Sequence, residues 1–111
     1  MAEWIEVAQI AELPPGTMKR VDLAGQRYLL VNADDEIYAV DDLCSHEEVS
    51  LYLGCIEGDT IKCSLHGSRF SLKNGEPLDE PATEAINTYP IEIKAERIYL
   101  LAKSPNQELF R

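Results

Sequence analysis

Short apolar segments separated by turn-forming residues run along the 111-residue chain. Two segments near the carboxyl end alternate their side chains with a period of two, the pattern of strands buried on one face. No convincing helical stripe is evident, and only Glu6–Leu13 is predicted to form a short helical turn. The segments predicted as strands are Trp4–Ala8, Met18–Leu23, Tyr28–Val31, Glu36–Val40, Thr60–Cys63, Arg69–Leu72, Ile91–Ala95 and Arg97–Leu101.

Glycine, proline and asparagine mark the connections between these strands. Pro14-Pro15-Gly16 separates the first two strands, because proline cannot continue a ladder of hydrogen bonds. Ala33–Asp35 predicts a hairpin loop of three or four residues, and Glu57–Asp59 predicts a turn. Asn74-Gly75 predicts a two-residue hairpin turn with positive φ at both residues.

Strands separated by turns at intervals of about 8 to 12 residues indicate an all-β protein, an antiparallel sandwich or barrel. The length predicts a single domain over residues 1–111, with a flexible tail at 104–111. The longest apolar runs, such as Tyr28–Val31 and Ile98–Ala102, have the length of strands and are too short to cross a bilayer. We therefore expect a soluble, cytoplasmic protein without a membrane partner.

Charge narrows the set of partners. The chain has 20 acidic and 10 basic residues, a net charge of −10. Such a surface disfavours nucleic acids and anionic membranes, and it favours long-range attraction to a basic face of a partner protein. Simple solubility explains the acidic excess equally well.

Two couples of cysteine and histidine are the candidate chemistry of the chain. Cys44 and His46 are separated by one residue, and Cys63 and His66 by two, with sixteen residues between the couples. Two thiolates and two imidazoles form the ligand set of a Rieske [2Fe–2S] centre. A structural zinc site also takes two cysteines and two histidines, although its ligand spacing is usually wider than the one-residue gap seen here. A chance arrangement is a third interpretation.

The wider sequence resembles the Rieske family, and in particular the small soluble ferredoxins that serve ring-hydroxylating dioxygenases. The C-x-H-x16-C-x2-H pattern is followed by Gly67–Ser71 and Gly75, as in that family. Three further stretches match it, namely Asn32–Val40, Glu57–Asp59 and Pro81–Thr83, and the resemblance covers roughly residues 4 to 102.

The resemblance implies one [2Fe–2S] cluster bound in a small subdomain inserted in the β base at about residues 41–83. In the family arrangement, Cys44 and Cys63 would hold one iron, and His46 and His66 would hold the other. It also implies that the Pro81–Thr83 segment covers one face of the cluster, although a proline that merely stiffens a loop is nearly as good an interpretation.

Positions around the ligands differ from those of respiratory Rieske proteins. Val49 and Leu65 stand where those proteins carry an additional disulfide, so this bridge is excluded. Ser68 retains a hydroxyl near the cluster unless it faces solvent, whereas Phe70 lacks one and is expected to be a core aromatic. Gly67 would allow the backbone to approach the cluster closely. We expect the midpoint reduction potential of the cluster to lie in the lower half of the Rieske range of about −150 to +300 mV.

The function implied by the resemblance is a one-electron carrier between a flavoprotein NAD(P)H-dependent reductase and a terminal aromatic-ring-hydroxylating oxygenase. The chain lacks a G-x-G-x-x-G nucleotide motif, and both of its histidines are used by the proposed cluster, so it is not expected to be an enzyme. A monomer that forms transient complexes is favoured. The alternatives are a Rieske-like small subunit of a nitrite reductase complex and a structural zinc-binding module.

Two further groups of residues have open roles. Asp41, Asp42, Glu47 and Glu48 lie near the first couple and are candidates for partner docking, although solvated loop charges are the better interpretation. The third cysteine, Cys55, is expected to be a small buried apolar residue, with a spare ligand or redox-active thiol as the alternative.

Overall fold

The computed structural model describes residues 3–23, 25–33, 36–42, 50–63, 68–78 and 85–102. Ten strands and two short 3-10 helices lie in these ranges. The strands are β1 (Glu3–Gln9), β2 (Met18–Leu23), β3 (Gln26–Ala33), β4 (Glu36–Asp41), β5 (Cys55–Glu57), β6 (Thr60–Lys62), β7 (Arg69–Ser71), β8 (Thr88–Tyr89), β9 (Ile91–Lys94) and β10 (Arg97–Ala102), and the 3-10 helices are Ile10–Glu12 and Leu51–Leu53.

The strands form three sheets in which every pairing is antiparallel. One sheet has the order β1-β10-β9, the second has the order β2-β3-β4-β8, and the third has the order β5-β6-β7. The prediction of an all-β, antiparallel protein is therefore confirmed.

The second sheet lies between two apolar cores, and its strand β3 is therefore buried on both faces. Leu29 and Val31 point into one apolar core, which they share with residues of β6 and β7 such as Phe70. Tyr28 and Leu30 point into the other core, together with residues of β10. A strand with cores on both sides needs apolar residues at consecutive positions, which explains the unbroken run of apolar residues in this segment.

All eight predicted strands are present, with ends that differ by a few residues. The structure adds β5 and β8, which have three and two residues and are too short to show a hydrophobic period. The helical turn predicted within Glu6–Leu13 is shorter than this range, because β1 continues to Gln9 and only Ile10–Glu12 forms a 3-10 helix.

Two hairpin loops differ from their predictions. Ala33 pairs with Glu36, so the loop between β3 and β4 has only two residues, and these lie outside the described residues. The Asn74-Gly75 turn is wrong in its geometry, because only the glycine has a positive φ, of 79°. Ser71 instead accepts a hydrogen bond from the Gly75 N–H and donates one to Glu76 through its own N–H, which closes a longer loop.

The two-residue turn with positive φ at both positions lies elsewhere, between β9 and β10. Arg97 pairs with Lys94, and the residues between them, Ala95 and Glu96, have φ values of 50° and 63°. This left-handed conformation costs about 1 to 2 kcal/mol for a residue with a Cβ atom. The turn therefore uses two residues that are poorly suited to their backbone conformation.

Strands β5, β6 and β7 all lie within residues 41–83, for which a cluster-binding subdomain is predicted. The single-domain assignment and its subdomain stay predictions, and the predicted tail at 104–111 lies outside the described residues. Within the described ranges, no helix has the length and apolar character needed to cross a membrane.

We predict that the double substitution Ala95→Asn with Glu96→Gly stabilises the protein by about 1 kcal/mol, because asparagine and glycine tolerate positive φ at these two positions. The measurement is the Tm of the cluster-loaded protein, which should rise by about 4 °C. Glu96→Gln is the matched control, because it removes the same charge and keeps the unfavourable φ. An equal rise in this control would attribute the effect to charge rather than to the turn.

Candidate metal centre

Cys63 lies at the base of the second predicted ligand loop, directly after β6. Its side chain is buried within the apolar core on one side of the central sheet. Its N–H donates a hydrogen bond of 2.8 Å to the carbonyl oxygen of Ser68. This bond joins the two ends of a four-residue segment, 64–67, which contains His66 and lies outside the described residues.

The first predicted ligand loop is closed at its base in a similar way. Asp42 and Ser50 border the segment 43–49, which contains Cys44 and His46 and lies outside the described residues. The Ser50 hydroxyl donates to the Asp42 carboxylate, with oxygen–oxygen distances of 2.8 and 2.7 Å. The N–H of Leu51 also donates to the carbonyl oxygen of Asp42.

The bases of the two loops lie next to each other. Leu51 and Cys63 belong to the same buried core, and the chain that leaves the first loop continues to Cys55, which pairs with Lys62, the residue directly before Cys63. Gly54 makes this approach possible, because a Cβ atom there would lie 1.8 Å from the carbonyl oxygen of Lys62. The fold therefore brings the bases of the two loops close together.

Asp41 fastens a third segment to the same region. Its carboxylate accepts a hydrogen bond of 2.9 Å from the Asn87 N–H and a further one from the Tyr89 hydroxyl. The N–H of Ile86 also donates to the carbonyl oxygen of Gly75, at 2.9 Å. These bonds anchor the chain that follows residues 79–84, a segment that contains Pro81–Thr83 and lies outside the described residues.

Among the described residues, Tyr89 stands out because the fold opposes its ionisation. Burial of the phenol raises its pKa, and the hydrogen bond to the Asp41 carboxylate raises that pKa further, because a phenolate there would face a negative charge. Gln26 donates a hydrogen bond of 2.8 Å to the same hydroxyl, and the ring of Tyr28 packs edge-on against the ring of Tyr89.

Of the four predicted ligands, only Cys63 lies within the described residues; Cys44, His46 and His66 lie outside them. Accordingly, no three residues of the metal-binding types cluster within the described ranges. The donor chemistry fits a Rieske cluster, because the sequence supplies two thiolates and two imidazoles on two loops with adjacent bases.

The structure decides the environment of two predicted tuning positions. Ser68 is 1% exposed, so the interpretation of its hydroxyl as facing solvent is wrong. Phe70 is fully buried in the core with Cys63, which confirms its packing role. Gly67, Val49 and Leu65 lie outside the described residues.

The interpretations of Asp42 and Cys55 are wrong. Asp42 is fully buried, so it is neither a docking charge nor a solvated loop charge. Asp41 is partly buried and uses its carboxylate within the fold, which leaves Glu47 and Glu48 as untested docking candidates outside the described residues.

Cys55 is exposed on β5 rather than buried, because β5 is an edge strand and this side chain points away from the core.

Sequence reasoning missed the structural roles of Ser50 and Gly54. Ser50 caps the 3-10 helix Leu51–Leu53 by accepting from the Tyr52 N–H, and serine at a helix start is the signal that could have identified it. No sequence pattern identifies the role of Gly54. Its φ of −88° can be adopted by any residue, and glycine is required only because the carbonyl oxygen of Lys62 lies so close.

Comparisons with known proteins agree with this geometry. Residues 3–90 match the family described as the Rieske [2Fe–2S] domain. The ferredoxin component of the naphthalene 1,2-dioxygenase system of Pseudomonas aeruginosa is 36% identical over 98 residues, which cover 88% of this chain and 94% of that protein. A chain in a solved complex of reduced oxygenase and oxidised ferredoxin in carbazole 1,9a-dioxygenase matches with a TM-score of 0.86 at 30% identity, covering 91% of this chain and 94% of that one.

A Mycobacterium tuberculosis protein assigned as the small subunit of an NADH-dependent nitrite reductase matches with a TM-score of 0.82 and covers 94% of this chain and 98% of its own. Its identity to the chain is 20%, so this likeness shows the fold alone.

We predict that Gly54→Ala destabilises the protein by about 3 kcal/mol, because the added methyl group overlaps the carbonyl oxygen of Lys62 and forces the backbone apart. The Tm of the cluster-loaded protein measures this loss. Gly58→Ala is the matched control in the same sheet, where a Cβ meets open space and only the positive φ of 59° costs about 1 kcal/mol. A loss for Gly54→Ala no larger than that of the control would contradict the close approach.

We predict that Tyr89 makes the protein lose stability at alkaline pH. Because its pKa is raised in the folded state, its contribution is fully present below the ordinary tyrosine value of about 10 and is lost as the pH rises above it. Tyr89→Phe should lower the free energy of unfolding at neutral pH, because the hydrogen bond to Asp41 is lost. It should also reduce the fall in that free energy between about pH 9 and pH 11, measured by urea unfolding. The exposed Tyr52 provides the control, Tyr52→Phe, which should keep the steep decline; an unchanged slope in Tyr89→Phe would refute the prediction.

Proposed function

Because the chain belongs to the Rieske [2Fe–2S] domain family, we propose that Cys44 and Cys63 bind one iron of its cluster and that His46 and His66 bind the other. The bound cluster accepts and releases one electron. The buried position of Cys63 and the closure of both loops at their bases support this ligand set. The burial of Cys63 limits the access of water to this thiolate.

The function that these features support best is that of an electron carrier, the ferredoxin component of a ring-hydroxylating dioxygenase system. The observation that carries this proposal is the 36% identity to a dioxygenase ferredoxin across 94% of that ferredoxin's length. The chain thus spans nearly the whole of a protein that is named as a component rather than as the oxygenase. It acts as a carrier and not as an enzyme.

The partners follow from this role. The terminal aromatic-ring oxygenase is the acceptor, which is supported by the similarity to a chain from a solved complex of oxygenase and ferredoxin. A flavoprotein NAD(P)H-dependent reductase is the donor, because the chain itself has no nucleotide motif. The net charge of −10 suits attraction to basic faces on both partners. A monomer suits this role, since the same protein must meet two partners in turn.

The proposed location is the cytoplasm. The free thiol of Cys55 is exposed, and an exposed free thiol is compatible with a reducing compartment, where thiols persist. Reduction by a nicotinamide-dependent flavoprotein also requires a supply of NADH or NADPH.

The two alternatives are weaker. A nitrite reductase small subunit shares the fold, but the likeness at 20% identity carries no functional argument. A structural zinc module does not agree with the match to the [2Fe–2S] family over residues 3–90.

We predict that Cys63→Ser abolishes the cluster, since a serine hydroxyl replaces one of its two thiolates, whereas Cys55→Ser keeps it. An EPR-monitored redox titration of protein purified without oxygen measures the outcome. Wild type and Cys55→Ser should show a Rieske signal of equal intensity with one midpoint, and Cys63→Ser should show none. A signal lost in Cys55→Ser and kept in Cys63→Ser would overturn the ligand set.

The carrier role is tested by reconstitution with the reductase and oxygenase of a naphthalene 1,2-dioxygenase system, with oxidation of naphthalene as the readout. Product formation that depends on the added protein, and that falls with rising salt, supports the proposal. Purification of the native protein as a stable heteromer with a siroheme subunit would contradict it and favour the nitrite reductase alternative.

A further inference from the structure

The carboxylate of Asp42 is fully buried at the base of the first predicted ligand loop and is surrounded by donors. It accepts hydrogen bonds from the Ser50 hydroxyl and, at 3.2 Å, from the Tyr52 N–H. The guanidinium of Arg27 lies 3.8 Å from it and remains half exposed. Since a carboxylate without partners is costly to bury, this set of donors points to a role that keeps the charge inside the protein.

We propose that Asp42 and Ser50 are positioning residues for the cluster. Their hydrogen bonds form a clasp that joins the two ends of segment 43–49, and the buried Asp42 carboxylate lies two residues from Cys44 along the chain. This inference rests on the ligand set proposed above.

The position of the clasp along the chain makes it effective. Asp42 precedes Cys44 by two residues, so their Cα atoms are at most about 7 Å apart. Ser50 follows His46 by four residues, and its hydroxyl lies 2.8 and 2.7 Å from the two oxygens of the same carboxylate. The segment that carries both ligands therefore begins and ends at one buried contact.

The charge has a separate consequence. A reduced cluster carries one more negative charge than an oxidised cluster, and a buried carboxylate nearby opposes that additional charge. Arg27 compensates only in part, because its distance of 3.8 Å is long for an ion pair and its side chain is exposed to screening. The Asp42 carboxylate should therefore lower the midpoint potential.

The clasp is tested with Ser50→Ala, which removes the donor and leaves the charge. In the cluster-loaded protein, the rate of cluster loss to an iron chelator should rise about tenfold, as expected for a lost hydrogen bond to a charged group. The g values of the EPR signal should also shift, because the ligands are held less firmly. Ser71→Ala is the matched control, since the Ser71 hydroxyl accepts from the Lys73 N–H outside this loop, and it should match wild type in both readouts.

The charge is tested with Asp42→Asn, which keeps an acceptor for Ser50 and removes the charge. The midpoint potential should rise relative to wild type. Asp22→Asn is the matched control, because the Asp22 carboxylate lies 3.7 Å from the same Arg27 but is exposed. This variant should have the same midpoint potential as wild type.

The inference would be overturned by two results together. Ser50→Ala would lose its cluster at the same rate as wild type and show the same g values, and Asp42→Asn would have the same midpoint potential as wild type. That result would leave the proposed function intact, since wild type would still show its Rieske signal. Absence of the signal from wild type would instead refute the proposed function.

Discussion

The burial of the central hairpin on both faces is the constraint on which the rest of the structure depends. Strands β3 and β4 separate two apolar cores, one shared with β10 and the other with β6 and β7. Because both faces are filled, the hairpin cannot shift its register without exposing one core, so the end of β4 has a fixed position. The first ligand loop begins at that end, directly after Asp41 and Asp42.

The two adjacent acidic residues at the end of β4 have different tasks. Side chains alternate across a strand, so Asp41 can bond to Asn87 and Tyr89 while Asp42 turns towards Ser50. One carboxylate fastens the chain that returns after residues 79–84, and the other closes the first loop. Two of the four charges that suggest a docking patch in the sequence, Asp41 and Asp42, serve within the fold, where each is matched by donors.

This architecture suits a protein that exchanges single electrons with other proteins. The two predicted ligand segments are closed at their bases by hydrogen bonds, the first after β4 and the second between β6 and β7. Bases held in this way need little rearrangement when a bound cluster changes its charge. The fold alone does not define the partner, since a nitrite reductase subunit shares it at 20% identity. The partner assignment depends instead on a match along nearly the full length of a dioxygenase ferredoxin.

The sequence by itself determined the fold class, the family and the ligand set to test, because strand periodicity and the spacing of cysteine and histidine are local properties of the chain. Tertiary structure alone decided the roles of Asp42 and Gly54 and the exposure of Cys55. A buried carboxylate, a glycine facing a carbonyl oxygen and a thiol on an edge strand are defined by neighbours distant in sequence. Burial and close approach arise only when separate strands meet, and no local pattern specifies which residues they bring together.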